Sequence, residues 1–130
     1  YEISVRDWSS DVCSSDRICI GHLGENIPFG LWRLDARMRF SRRSYRGKRL
    51  LGDYFREHFH ITTSGNFNDA AFRCTLEVLD NDKVHFSADY PFERMQDAAN
   101  WYDATDVVSN EQRRKIGRTN AIKLFKLDLD

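Results

Sequence analysis

The chain has 130 residues, 41% hydrophobic and 31% charged, which excludes intrinsic disorder and fibrous repeats and leaves room for one domain with a buried core. Lys plus Arg and Asp plus Glu both count 20, so net charge gives no general pull toward nucleic acid or an anionic membrane. No run reaches the ~18 apolar residues of a membrane span, and Cys13, Cys19 and Cys74 form neither a CxxC pair nor a disulfide framework, so a cytoplasmic setting is expected.

Residues 1–16, YEISVRDWSSDVCSSD, hold no helical or strand period. Their DWSSDVCSSD segment is similar to a translated sequencing adapter, so they are set apart as an artefactual or disordered segment and the fold is expected over residues 17–130. Ile18-Cys19-Ile20 before Gly21 reads as a strand. Pro28 suits the first turn of a helix carrying Phe29, Leu31, Trp32 and Leu34. Residues 37–49 are basic, with Ser and Gly, and read as a helix end and loop. Leu50, Leu51, Tyr54 and Phe55 predict a short amphipathic helix, and residues 59–63 a second strand. Asn68 suits the cap of a helix with Ala71, Phe72, Thr75, Leu76 and Leu79 on one face. Residues 84–87 predict a third strand, and Ala98, Trp101 and Tyr102 a further helix. Ser109 and Gln112 form a capping-box pattern opening a helical stretch to about Leu127, broken near Gly117. Cys19, Cys74, Trp101 and Phe125 are expected in the core.

Strand and helix alternate three times, which predicts an α/β fold with about three parallel strands joined by crossover helices. Such a sheet is a poor complete domain, and a TIM (β/α)8 barrel of about 250 residues contains eight such units. The expected architecture is therefore a three-unit fragment of a TIM barrel. Polar residues follow each strand: Gly21-His22-Leu23-Gly24-Glu25, Thr63-Ser64-Gly65-Asn66, and Ser87-Ala88-Asp89-Tyr90-Pro91. In such barrels the site lies at the carboxyl ends of the strands, so His22 and Asp89 would face one mouth. An imidazole there can shuttle protons or bind metal, and a carboxylate can do either as well. Each residue alone has a structural alternative, a hydrogen-bonded histidine or a capping aspartate.

Taken in order, GHLGE (21–25), LWRLD (31–35), DYFREHFHITTSGNF (53–67), HFSADYPFE (85–93) and GRTNAIKLFKLD (117–128) resemble the carboxyl-terminal part of the metal-dependent decarboxylases of the amidohydrolase superfamily. The γ-resorcylate and 2,3-dihydroxybenzoate decarboxylases are the nearest group. The resemblance implies Asp89 as metal ligand and proton donor, His22 as a catalytic histidine beside the metal, and Glu25 as a carboxylate that hydrogen-bonds within that site. It also implies Arg33 at the substrate's anionic end or a subunit contact, with Tyr90 and Phe92 (beside Pro91) shaping an aromatic pocket. It further implies non-oxidative decarboxylation of a small hydroxybenzoate-type aromatic acid, a divalent metal (zinc or manganese, with magnesium a further option), and a homo-oligomeric parent enzyme without membrane attachment. The family's other metal ligands, an early Glu-x-His or His-x-His pair and a middle-strand His, have no counterpart in the chain. The chain alone is therefore expected to be inactive.

Three alternatives stand beside this reading. One is another amidohydrolase-family hydrolase. Another is a small non-catalytic α/β interaction domain whose basic run, Arg33 to Arg49 with Phe40 and Tyr45, would contact nucleic acid; the expected role of that run is a solvated helix end or ion-pair surface. The third is a Ser64–His60–Asp69 triad, but a nucleophile-elbow pattern is missing and Ser64 reads as a turn residue.

Overall fold

A computed structural model describes residues 17–40 and 47–129. Three short strands, β1 (Ile18–Ile20), β2 (Phe59–Thr62) and β3 (Val84–His85), form one parallel sheet in the order β1-β2-β3. The crossover from β1 to β2 contains α1 (Ile27–Phe40) and α2 (Leu51–His58). The crossover from β2 to β3 contains α3 (Asp69–Val78). After β3 come α4 (Met95–Ala104), α5 (Asn110–Arg114), a π-helical turn (Lys115–Thr119) and α6 (Asn120–Phe125). No helix among the described residues is long and apolar enough to cross a membrane.

Strand pleating separates two faces. Ile20, Ile61 and Val84 share register and point toward the helices, where they meet Leu23, Leu31, Phe55, Phe72, Leu79, Tyr102 and Ile116. This one-sided core, with β-branched residues from the strands and large residues from the helices, is the packing of parallel βα units. Local signals are satisfied as the sequence predicts. Asn68 Oδ1 accepts from the Ala71 N–H at 3.1 Å, and Ser109 and Gln112 form a reciprocal capping box. Burial pushes the Tyr102 hydroxyl up to about 12, and it donates to Arg113 O at 2.9 Å while its ring packs 4.6 Å from Phe86.

Four expectations are corrected. Strand β3 ends at His85 rather than Ser87, because the Phe86 N–H leaves the ladder and donates to Ile116 O at 2.9 Å. Cys19 is exposed rather than a core thiol: it pairs in register with His60, on the face opposite the helices, in an outer strand of the sheet. Cys74 is half-buried, not in the core. Phe125 is 63% exposed, because the π turn shifts the phase of α6 and aims Asn120, not Phe125, at the sheet. Trp101 does pack on the core, half-buried against Phe67, Phe72 and Tyr102. Within the basic run, Arg49 pairs with Glu57 and lies over the Tyr54 ring, while Arg42, Arg43, Tyr45 and Arg46 fall outside the described residues.

Candidate active site

The carboxyl ends of β1 and β3 bring two side chains together. His22 lies two residues beyond β1 and Asp89 four beyond β3, and His22 Nε2 sits 3.4 Å from Asp89 Oδ2. On its other side His22 Nδ1–H donates to Glu25 Oε1 at 2.7 Å. One imidazole thus bridges two carboxylates drawn from different βα loops. The hydrogen bond to Glu25 is the first cause holding the His22 pKa above its ordinary value, and that to Asp89 is the second.

The backbone that holds them is unusual. His22, Leu23, Glu25 and Asp89 all have positive φ, at 51°, 56°, 55° and 67°. For residues with a Cβ this conformation costs about 1–2 kcal/mol each and persists only where surroundings enforce it. The enforcement is visible. Leu23 is buried, and its carbonyl accepts from Thr75 Oγ1 at 2.8 Å. The His22 N–H donates to Ser64 O at 3.1 Å, and Asn66 Nδ2 donates back to His22 O at 3.4 Å. Asp89 is fixed by its own carbonyl, which accepts from the N–H groups of Phe92 and Glu93 at 2.9 and 3.1 Å. Ser64 and Asn66 are contributors that sequence reasoning missed, since Ser-Gly-Asn after a strand signals a turn without saying what the turn touches.

The remaining predicted residues lie apart from this trio. Arg33 is exposed on α1, where it lines a shallow groove with Asn26, Ile27, Gly30, Leu34 and Arg37. Tyr90 and Phe92 stand in solvent just beyond Asp89, 74% and 86% exposed. The Ser64–His60–Asp69 triad does not assemble. Ser64 pairs with Thr62, His60 with His85, and Asp69 accepts from Trp101 and Thr105. Asp89 offers one carboxylate to a divalent ion, and no group of three or more His, Cys, Asp or Glu among the described residues could hold one. The residues described therefore fit a single ligand position and not a complete metal site.

Parallel strands joined by helices, with polar groups gathered at their carboxyl ends, are three consecutive βα units of the kind that build an α/β barrel. The amidohydrolase family model matches residues 15–127, and the chain belongs to that family. It is 48% identical over 114 residues to a gamma-resorcylate decarboxylase of Rhodococcus jostii, covering 86% of this chain and 34% of that protein. It superposes with a TM-score of 0.79 on a 2,6-dihydroxybenzoate decarboxylase complexed with 2,6-dihydroxybenzoate, at 43% identity over 85% of this chain and 35% of that one. A dihydroxybenzoic acid decarboxylase from Polaromonas, with bound manganese and the inhibitor 2-nitroresorcinol, gives 0.81 at 40% identity, covering 88% of this chain and 35% of that one. The chain thus spans about a third of the length of the relatives it matches.

Proposed function

We propose that residues 17–130 form the carboxyl-terminal third of a carboxy-lyase that removes carbon dioxide, without oxidation, from a hydroxybenzoate-type aromatic acid. The observation that carries this reading is the His22 imidazole held between Glu25 and Asp89 at the mouth of the sheet. The resemblance to dihydroxybenzoate decarboxylases supplies the substrate class.

The chemistry suits these groups. Breaking the bond between a ring carbon and a carboxylate returns two electrons to that carbon. A proton delivered to the carbon beforehand lets those electrons restore the aromatic ring instead of leaving an aryl carbanion. Asp89, protonated, is the donor in this reading, and its carboxylate regains a proton from solvent after carbon dioxide leaves. His22, fixed by Glu25, places an imidazole beside Asp89 that stabilises charge as the proton moves. Arg33 on α1 is assigned to the substrate's anionic end or to a subunit contact near it, and Tyr90 and Phe92 to the wall around the ring.

Asp89 is also the one metal ligand these residues would supply. A divalent ion held there with ligands from the rest of the enzyme would orient the substrate's carboxylate and ortho hydroxyl. Manganese or zinc is the expected ion, with magnesium also compatible, and the manganese bound to the Polaromonas relative supports the first. A homo-oligomer belongs to the same reading; α1 presents Phe29, Trp32 and Phe40 to solvent, an aromatic face that a second subunit or the rest of the enzyme would cover. The free thiols Cys19 and Cys74 are in keeping with a cytoplasmic enzyme.

The test is a hybrid in which residues 17–130 replace the matching third of the Rhodococcus relative. Manganese-loaded hybrid is expected to release carbon dioxide from 2,6-dihydroxybenzoate, and His22→Asn or Asp89→Asn to abolish the release. A folded, metal-loaded hybrid that turns over no dihydroxybenzoate overturns the proposal.

A further inference from the structure

Gly65 occupies the space where His22 and Asp89 meet. It follows β2 in the Ser64-Gly65-Asn66 loop and has a φ of +62°. An ideal Cβ built on it would lie 2.8 Å from Asp89 Oδ2, 2.8 Å from His22 Cδ2 and 3.2 Å from His22 Nε2. Two of these separations are closer than nonbonded carbon and oxygen atoms tolerate, so at least one neighbour would have to move.

The neighbours have little freedom to move as backbone. His22 is tied to the same loop through Ser64 O and Asn66 Nδ2, so its main chain cannot retreat from residue 65 without losing both bonds. Its ring is held from the far side by Glu25. The Asp89 carbonyl accepts the Phe92 and Glu93 amides, which fixes that loop as well. Yielding is left to the Asp89 carboxylate and the His22 ring. The 3.4 Å approach between them is the contact a Cβ would wedge open.

We propose that Gly65 is a positioning residue: by lacking a side chain, it lets the His22 imidazole and Asp89 carboxylate close to within reach of each other. The purpose of that approach rests on the decarboxylase reading above, whereas the approach itself does not. Two properties of glycine are separable here. Its tolerance of positive φ is shared in part by asparagine, but the room left by a missing Cβ is shared by no other residue. If only the backbone conformation matters, Gly65→Asn rescues what Gly65→Ala loses. If room matters, both variants fail alike.

The experiment uses the 130-residue chain and its Gly65→Ala and Gly65→Asn variants. Nuclear Overhauser contacts between the His22 ring protons and the Asp89 β protons read the approach, and circular dichroism reads the fold. The contact is expected in the wild type and lost in both variants, with the Asn variant keeping the wild-type dichroism. Persistence of the contact in either variant overturns the proposal, as does its absence from the wild type. Unfolding of both variants overturns it too, because Gly65 then serves folding rather than positioning. An inactive hybrid enzyme with the contact intact would sink the decarboxylase reading and leave this one standing.

Discussion

His60 and His85 share a hydrogen bond of 2.8 Å, Nδ1 to Nε2, with both rings buried between neighbouring strands. One ring donates to the other, so the pair is suited to the neutral state. The outer nitrogens, His60 Nε2 and His85 Nδ1, are buried without a hydrogen-bond partner. Burial is the first cause lowering both pKa values, with the Lys83 charge next, and His85 and Arg17 add to the effect on His60, which falls to about 4. The unfolded chain therefore binds more protons than the folded one below the ordinary histidine pKa near 6.5. The contribution of this pair to stability is expected to be level above that pH and to fall between about 6.5 and 4, by an amount on the order of 3 kcal/mol. Urea unfolding at a series of pH values checks this. A stability that stays flat from pH 7 to pH 4.5 contradicts it.

Replacing Glu25 by Gln removes the first cause of the raised His22 pKa. The imidazole of the variant is expected to titrate at lower pH than in the wild type, still lifted somewhat by Asp89. Following the ring proton shifts by NMR measures both. The effect on folding is small, because the His22 and Glu25 side chains are 46% and 60% exposed and water screens the pair. What stabilisation it gives is present below the unfolded pKa and lost as pH rises through the folded one.

Asn120 is buried, and its Nδ2 donates to Asn81 O at 2.6 Å and to Val84 O at 2.8 Å. Asn120→Ala leaves these carbonyls without that donor. A loss of about 1–3 kcal/mol is expected in denaturant unfolding with the m-value unchanged. A variant as stable as the wild type would mean that water or another donor takes over the site.

The 130-residue chain by itself is expected to release no carbon dioxide from 2,6-dihydroxybenzoate, with or without added manganese. Asp89 gives one ligand where catalytic zinc sites use about three. Turnover by the purified chain that a chelator abolishes would refute this.

Much of this arrangement was legible in the residues. Asn68, Ser109 and Gln112 announce helix starts through short-range hydrogen bonds that the sequence order alone specifies. Residues 18–20, 59–63 and 84–87 declare themselves as strands because apolar, β-branched or aromatic runs stop at turn residues, although β3 ends at His85 because the Phe86 N–H turns to Ile116 O, a contact no local run reveals. The convergence of His22 and Asp89 followed from strand polarity, since parallel strands deliver their following loops to one end. Contacts that depend on three-dimensional register were not legible. The His60–His85 bond needs the alignment of β2 with β3, which no local pattern carries. Cys19 looked like a core residue because the apolar run around it does not say which face the helices cover. Gly65 looked like any turn glycine, because the clash it avoids involves residues 43 positions before it and 24 after it.

The wide turn at Lys115–Thr119 accommodates one more residue than an α-helical turn would. Excising a single residue from it would restore regular winding and leave the helix after it in nearly the same phase, because the wide turn already absorbs the ~100° that one residue contributes. Asn120 would keep its place on the sheet. Inserting a second residue there, with no further wide turn to absorb it, would instead rotate everything downstream by about 100°. The carboxyl-terminal helix is thus tuned by residue count as much as by residue type.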